Sequence, residues 1–251
     1  MVCSEDAVIR VVDPTKPLAY PAVYDMSRPL EVEVGCGKGR FLTGRAARDP
    51  GCEFLGIERM LKRVGCFARR TERMGLANAH VLRLEALYAF HYLLPEHHAR
   101  RVYVFFPDPW PKRRHHSHRL FGPLFLEALW HRLEEGGELQ FATDHAEYFS
   151  VVEDCFAQDA AARSAPRFER VAPMERGPDE WTEFETLFRG QGLPIHAAAW
   201  RALPDPCATP LAPLAIPPED EPREDVVRRA SRGKEWREEM SAAEDAKQET
   251  T

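Results

Sequence analysis

Short apolar runs and longer segments with helical spacing alternate along most of the chain. The predicted strands are residues 31–34, 53–58, 79–84, 101–106 and 138–143. Each is followed by a segment whose apolar positions recur every three to four residues: residues 38–48, 60–74, 86–94, 120–134 and 145–156. Five such alternations predict a parallel sheet with helices on both faces.

The pattern changes after the fifth helix. Residues 167–172 and 195–203 predict two further strands, which we expect to form an antiparallel hairpin at the sheet edge. Between them, the segment PDEWTEFETLFRGQG predicts a loop that enters a short helix. The expected fold is therefore α/β with a mostly parallel, seven-stranded sheet. We expect the fourth helix to end at the Gly136-Gly137 pair, a common C-terminal signal.

Composition divides the chain into three parts. Residues 1–29 are an N-terminal extension and residues 30–203 are the folded domain. Residues 204–251 are rich in proline and then in charge, which predicts a largely disordered tail with one short helix near residues 226–240.

Overall composition is that of an ordinary globular protein, with 44% hydrophobic residues and a formal net charge of −6. The sequence has no apolar run of membrane-spanning length, and the first residues do not resemble a signal peptide. The six cysteines include no Cys-x-x-Cys pair, so we expect reduced thiols, no metal site and a cytoplasmic location.

A glycine turn follows the first strand in the sequence EVEVGCGKG. In open α/β sheets, ligands bind at the carboxyl ends of the strands, where Gly35 and Gly37 would let the backbone approach a ligand closely. A purely structural turn is the alternative. Three carboxylates, Glu33, Glu58 and Glu85, stand at successive strand ends and favour a nucleoside ligand.

The chemistry of these carboxylates separates two cofactors. Glu58 could accept from both hydroxyls of a ribose, as in nicotinamide and S-adenosylmethionine (SAM) sites alike. Glu33 favours SAM, because that cofactor carries a cationic ammonium and sulfonium and no pyrophosphate. Glu85 could hold the adenine amino group. Each glutamate alone would more often be a solvated rim residue.

The most distinctive motif is FFPDPWPKRRHHSHRL, a strand end followed by a basic block. It resembles the signature of the bacterial tRNA (guanine-N7-)-methyltransferase family. The motifs EVGCGKGRFL, GIE, ATDHAEYF and TEFE, the last followed by GQGLPIH, occur in the order that this family shows. The resemblance covers roughly residues 30–200, and the Pro-Asp-Pro-Trp-Pro-Lys-x-Arg block is its most specific part.

The resemblance implies a Rossmann-like class I methyltransferase fold and transfer of a methyl group from SAM to N7 of guanine 46 in the tRNA variable loop, with S-adenosylhomocysteine as the second product. It implies cofactor contacts at Glu33, Gly35, Gly37, Glu58, Glu85 and Asp108. It implies substrate contacts at Lys112, Asp144, Thr182, Glu183, Phe184 and Glu185. RNA contacts are implied at Arg114, His115, His116, Ser117, His118 and Arg119. The family more usually has Asp where Glu85 stands.

Guanine N7 carries a free lone pair and no proton, so methyl transfer needs no strong general base. Catalysis then consists of aligning N7, methyl and sulfur and of stabilising the positive charge that reaches the purine. Asp108 is the expected catalytic residue, because a carboxylate can accept hydrogen bonds from guanine N1–H and N2–H₂. The flanking prolines restrict its backbone.

Several of these residues also have purely structural interpretations. Trp110 could stack on a purine or cover the strand end as a core residue. Asp144 could be a helix N-cap, and Thr182 with Glu185 matches an ordinary capping box. The arginines and lysine of residues 59–73 could form a second RNA-binding surface, although a solvated helix face is the simpler interpretation.

The expected partner is tRNA, with neither DNA nor membrane, and the expected state is a monomer, with a homodimer as the alternative. Three other functions stay open: a SAM-dependent methyltransferase for another RNA or a small molecule, a non-catalytic RNA-binding protein on the same fold, and a nicotinamide-dependent oxidoreductase. The last is disfavoured because nothing after the fourth strand resembles a hydride-transfer site.

Overall fold

The computed structural model describes residues 7–9, 25–205 and 208–214. Its centre is one eight-stranded sheet with the strand order β1-β4-β3-β2-β5-β6-β8-β7. The strands are β1 (Val8–Ile9), β2 (Leu30–Val34), β3 (Glu53–Ile57), β4 (Ala79–Leu82), β5 (Ala99–Phe105), β6 (Leu133–Thr143), β7 (Phe168–Val171) and β8 (His196–Ala202). Strands β1 to β6 pair in parallel, and β8 is antiparallel to both β6 and β7.

The predicted α/β architecture with an antiparallel edge hairpin is confirmed. The additional strand is β1, two residues from the segment assigned to the N-terminal extension, which pairs with β4 through Val8 and Val81. The helices are α1 (Arg40–Arg48), α2 (Leu61–Met74), α3 (Ala86–Tyr88), α4 (Pro123–Arg132), α5 (Ala146–Ala161) and α6 (Glu183–Gly190). A π-helical turn, Ala89–Leu93, continues α3, and two 3₁₀ turns occupy Arg113–His118 and Pro178–Glu180.

Two hydrophobic cores cover the two faces of the sheet. On one face, Phe90 of the π-helical turn and Phe125 of α4 belong to the same core as Val102. On the other face, Phe41 of α1 and Phe67 of α2 belong to the second core. Burial on both faces is what a parallel sheet requires, and it leaves the strand ends as the place for a ligand.

The C-terminal boundary predicted for the fourth helix is wrong. Helix α4 ends at Arg132, and β6 begins at the next residue, so Gly136 and Gly137 lie inside the strand segment. Leu133 is buried and pairs with Ala99 of β5, so sheet pairing replaces the last expected turn of helix. Gly136 has φ 78°, which accommodates the shift of register in this strand.

Much of both terminal segments lies outside the described residues, including the helix predicted near residues 226–240. The division into extension, domain and tail therefore stays a prediction. Among the described residues, no helix is long and apolar enough to cross a bilayer.

A chain of ion pairs connects the body of the domain to the segment before α6. Glu31 is completely buried and accepts hydrogen bonds from Tyr103 Oη at 2.7 Å and Arg45 Nη2 at 3.1 Å. Arg45 also lies 3.7 Å from Glu180, and Arg48 pairs with the same carboxylate at 2.7 Å. The turn Pro178–Glu180 is thus held against α1, which fixes where α6 begins.

Candidate active site

The glycine turn lies at the carboxyl end of β2 and has the backbone that its sequence predicts. Gly35, Gly37 and Gly39 all have positive φ, at 72°, 57° and 78°. Glycine alone adopts this region without steric cost. A Cβ added to Gly35 would meet no atom within 4 Å, and one added to Gly37 would meet only the Gly35 carbonyl oxygen at 4.0 Å. The space beside these two glycines is therefore empty of protein.

Gly39 differs from the other two glycines. A Cβ at this position would collide with the Phe67 ring of α2. Gly39 therefore serves the close packing of α1 against α2, whereas Gly35 and Gly37 border the open space.

Glu58 joins the glycine turn to the start of α2. Its Oε2 accepts from the Gly37 N–H at 3.1 Å, and its Oε1 accepts from the Met60 N–H at 2.8 Å. The side chain is 5% exposed, and Arg63 lies 3.6 Å away. Each carboxylate oxygen can accept a second hydrogen bond, so the anchored group still has acceptor capacity for a diol.

Glu33 is buried, and its Oε2 has no hydrogen-bond partner within the described structure. Burial raises the pKa of this carboxyl from 4.5 to about 8; the Arg176 cation opposes the rise and the Glu58 carboxylate adds to it. An unpaired buried carboxylate is costly unless a cation or donor compensates it. A cationic ligand in the adjoining space would supply that compensation.

Glu33, Gly35 and Gly37 border a cavity of about 310 Å³, which we call the cofactor cavity. Its polar and charged lining consists of Glu33, Lys38, Arg40, Arg63, Thr182 and Glu183. The remainder is Gly35, Cys36, Gly37, Phe41, Phe105, Phe184 and Leu187. A mostly apolar cavity with a few converging polar groups is the usual form of a small-molecule site.

Helix α6 closes one side of the cofactor cavity. Thr182 is its N-cap, with Oγ1 accepting from the Glu185 N–H at 3.0 Å. The other half of the expected capping box differs, because the completely buried Glu185 carboxylate binds Arg176 and Arg189. The structure thus brings Thr182, Glu183 and Phe184 to the same cavity as the glycine turn, although the sequence assigned them to different ligands.

Asp108 is exposed on the loop after β5, outside the residues that line the cofactor cavity. Two neighbours, Phe106 at φ 53° and Trp110 at φ 44°, adopt left-handed conformations that are unusual for non-glycine residues. Phe106 is held by its N–H, which donates to the Ala142 carbonyl at 2.7 Å. Backbone strain of this kind concentrates at functional sites.

The basic block forms the 3₁₀ turn Arg113–His118. Trp110 packs against the rings of His115 and His118, with centroids 5.6 Å and 5.0 Å away. Lys112, Arg114 and His118 are exposed, and His115 and His116 are half-buried. The block therefore presents the charges of Lys112 and Arg114 to solvent, and Trp110 packs against its histidines.

Arg119 differs from the rest of the block because its side chain is only 5% exposed. Its Nε donates to the Pro109 carbonyl at 2.8 Å, and its Nη2 donates to Glu147 at 3.1 Å. The guanidinium also lies over the Tyr148 ring, 5.1 Å from the centroid. These contacts tie the Pro-Asp-Pro loop to α5.

The predicted cofactor and substrate contact residues that do not line the cofactor cavity are Glu58, Glu85, Asp108, Lys112, Asp144 and Glu185. Glu85 is half exposed and pairs with Arg59 at 2.8 Å. Asp144 is half-buried at the end of β6. It is not the cap of α5, because His145 Nδ1 accepts from the Tyr148 N–H at 3.2 Å.

Several residues in and around the cofactor cavity were missed by sequence reasoning. Arg63 was assigned to the solvated face of its helix. Only its position shortly after Glu58 in the sequence could have indicated that it lines the cavity. Leu187 and Phe41 carry no signal that distinguishes them from core residues. Arg176, which supports α6 and faces Glu33, stands in a loop with no motif.

The fold and the cavity define a Rossmann-like class I methyltransferase: a mostly parallel sheet, a glycine turn after β2, and buried carboxylates at the ends of β2 and β3. A family model described as "Putative methyltransferase" matches residues 27–198. The chain belongs to the tRNA (guanine-N(7)-)-methyltransferase family, as its relatives show.

One such relative, from Halorhodospira halophila, is 34% identical over 183 residues, which cover 73% of this chain and 79% of the relative. Another, from Syntrophotalea carbinolica, is 33% identical over 204 residues, or 80% and 85% of the two chains. Both are named tRNA (guanine-N(7)-)-methyltransferase. Among solved structures, the 16S rRNA methyltransferase KamB matches with a TM-score of 0.52 and 16% identity, over 72% of this chain and 89% of that one, which supports the fold.

Proposed function

We propose that this protein transfers the methyl group of SAM to N7 of a guanine in tRNA, and that the target is guanine 46 of the variable loop. The observation that carries the proposal is the buried, unpaired Glu33 oxygen beneath the glycine turn, in a cavity closed by the Thr182-Glu183-Phe184 segment. The names of the relatives supply the substrate class.

The residues of the cofactor cavity fit SAM in charge and shape. SAM, when bound, supplies an electrophilic methyl group on a cationic sulfonium. Glu33 compensates the positive charge of the ligand, and Glu58 offers its free acceptor positions to the ribose hydroxyls. Gly35 and Gly37 leave room beside the backbone. Glu85 remains the proposed contact for adenine.

Asp108 is the proposed catalytic residue. Its carboxylate accepts from guanine N1–H and N2–H₂, which orients the base and offsets the positive charge that N7 acquires. Because N7 has no proton to lose, neither a general base nor a metal-activated nucleophile is needed. Lys112, Asp144 and residues 182–185 complete the proposed substrate site, with Glu185 acting through the position of α6.

The basic block is the proposed RNA contact. The cationic side chains of Lys112 and Arg114, with His115, His116, Ser117 and His118 beside them, suit backbone phosphates. Arg119 contributes by fixing the Pro109 carbonyl and thereby the loop that carries Asp108. We propose that the target guanine leaves its tertiary contacts to reach the site, as other modified bases do.

The proposal extends to the setting of the reaction. The enzyme acts in the cytoplasm, as a monomer, on tRNA and without a DNA or membrane partner. Light scattering of the purified chain with and without tRNA tests the monomer: a mass near 28.7 kDa for the free protein supports it, and twice that mass contradicts it.

The decisive experiment is methyl transfer from labelled SAM to an unmodified tRNA transcript, followed by nucleoside analysis. We expect 7-methylguanosine, and we expect none when guanine 46 of the transcript is replaced by adenine. Label in another nucleoside, or at another guanine, would contradict the assignment. Binding of SAM without any labelled tRNA would contradict the substrate and retain the cofactor.

A further inference from the structure

A second cavity lies beside the first, on the outer side of α2. Its volume is about 230 Å³, and we call it the basic cavity. It is lined by Lys38, Arg69, Arg70, Arg73, Cys66 and Glu183. Four cations and one carboxylate surround this small space, and the mechanism uses none of the three arginines.

Within the described part of the chain, the three arginines of the basic cavity form no ion pair with a carboxylate. Among the described residues, no Asp or Glu oxygen lies within 4 Å of a nitrogen of Arg69, Arg70 or Arg73. Two nearby arginines are paired: Arg59, just before this helix, with Glu85 at 2.8 Å, and Arg63, in its first turn, with Glu58 at 3.6 Å. The single acid of the cavity, Glu183, pairs with Lys38 at 3.4 Å.

Arg70 is held in place rather than free in solvent. Its Nε donates to Thr43 Oγ1 at 2.9 Å, and the buried Thr43 hydroxyl donates to the Gly39 carbonyl at 2.6 Å. Burial lowers the pKa of the Arg70 guanidinium, and the Arg73 and Arg40 cations lower it further, whereas the Glu183 carboxylate opposes the decrease. Like charges three and four residues apart on a helix repel one another, as Arg70 and Arg69 do with Arg73. A bound anion would reduce this repulsion.

The two cavities share a wall. Lys38 and Glu183 line both of them. Lys38 lies in the glycine turn, and Glu183 lies in the first turn of α6. An anion in the basic cavity would therefore lie next to the cofactor cavity, on the α2 side.

We infer that the basic cavity binds a phosphate of the RNA backbone while the target base occupies the methyl-transfer site. This inference rests on the proposed function. The guanidinium groups offer paired N–H donors that match phosphate oxygens, and several cations at one place favour a polyanion through release of its counterions. The RNA would then be held on two sides of the reacting base, by the basic block after Asp108 and by α2.

The test uses the full-length protein with Arg69→Gln and Arg73→Gln combined. Both side chains are exposed and neither lines the cofactor cavity. The matched control, Arg170→Gln with Arg201→Gln, removes the same charge from the distant β7–β8 edge. Dissociation constants for unmodified tRNA are measured between about 50 and 200 mM salt, and the SAM dissociation constant is measured in parallel.

We expect the tRNA dissociation constant of the α2 variant to rise about 10- to 100-fold at low salt. The slope of its logarithm against log salt should fall by about 0.7 to 0.9 for each RNA phosphate that the variant no longer neutralises. The SAM dissociation constant should stay unchanged, and the control should retain the wild-type slope. Arg73→Glu alone should weaken tRNA binding in the same direction.

Unchanged tRNA affinity and slope in the α2 variant would overturn the inference. So would a variant that loses affinity only for inorganic phosphate, because the cavity would then serve a free anion. The outcome is separable from the proposed function. If the α2 variant shows the expected loss of tRNA affinity and of salt dependence but the wild-type protein forms no 7-methylguanosine, the reaction is refuted and the phosphate site is retained.

Discussion

Arg176 donates a 2.5 Å hydrogen bond to the completely buried carboxylate of Glu185, and this ion pair holds α6 over the glycine turn. Arg189 binds the other carboxylate oxygen at 3.0 Å. The Arg176 guanidinium also lies 4.1 Å from the centroid of the Phe105 ring, which lines the cofactor cavity. The Arg176–Glu185 pair thereby joins α6, the loop before it and the end of β5 around the site.

Glu185→Gln should lower the free energy of unfolding by about 3 to 5 kcal/mol, because it leaves two arginines without their shared buried partner. Urea unfolding measures the loss, and the SAM dissociation constant should rise because α6 is no longer fixed. The matched control is Glu153→Gln, which removes an exposed ion pair with Arg170 and should cost less than about 1 kcal/mol. Equal losses in the two variants would show that Glu185 has no special structural role.

SAM affinity should rise with pH through the titration of Glu33. Its pKa is raised to about 8 by burial, so the carboxyl is mostly protonated below that value and the ionised form becomes more abundant as pH increases. Between pH 6 and 7.5, the dissociation constant should therefore fall by up to about tenfold per pH unit. Calorimetry in buffers of different ionisation enthalpy should also detect proton release on binding.

Glu33→Gln should abolish this pH dependence and weaken binding at pH 7.5. Glu72→Gln, on the exposed face of α2, should change neither. A wild-type affinity that is flat from pH 6 to 7.5 would show that the free protein already holds Glu33 ionised.

The same titration predicts how stability depends on pH without ligand. The folded protein retains the Glu33 proton up to about pH 8, whereas the unfolded chain loses it near 4.5. The unfolded state therefore binds fewer protons in this window, so the Glu33 contribution to unfolding free energy declines from pH 4.5 to about 8. Urea unfolding of Glu33→Gln should show a shallower decline than the wild type; identical slopes would contradict the assignment.

Two glycine substitutions should separate packing from binding. Gly35→Ala and Gly39→Ala both place a side chain at positive φ, which costs about 1 to 2 kcal/mol. Only Gly39→Ala also collides with the Phe67 ring, so it should lower stability further. Gly35→Ala should instead raise the SAM dissociation constant, because its methyl group occupies empty cavity space; the reverse pattern would refute the assignment of these two glycines.

Asp108→Ala should lower kcat/KM for tRNA methylation by about a hundredfold, the typical loss when one donor or acceptor of a charge-stabilising site is removed. The folded structure should be unaffected, because Asp108 is exposed. Asp154→Ala, on the exposed face of α5, provides the control. Activity within twofold of wild type would remove Asp108 from the catalytic role.

Local sequence patterns predicted most of the elements of this fold. The alternation of β-strands and helices placed the ends of β2 to β5 within two residues, because each type of element has a distinct apolar period, but it did not predict β1. The end of α4 was predicted wrongly because Leu133 pairs with Ala99 in the sheet and does not continue the helix. Local sequence patterns carry no information about such a long-range contact.

The sequence predicted the part of the site that lies at strand ends. It could not predict the part that depends on tertiary packing of the later segment, α6, against the glycine turn. Glu33, Glu58 and the glycine turn follow directly from the rule for parallel sheets. The packing of α6 over that turn depends on Arg176 meeting Glu185. The capping-box pattern in the same segment correctly predicted Thr182 as the cap but suggested a different partner for Glu185.

The position of β8 between β6 and β7 has a consequence for the order of assembly during synthesis. Strand β8 is the last of the eight to leave the ribosome, yet β7 has no other neighbour in the described sheet. Helix α6 lies in the connection between them, so a nascent chain that already holds the glycine turn still lacks the roof of its cavity. The lining of the cofactor cavity can therefore be complete only after residues 182–187 have been synthesised, late in the translation of this domain.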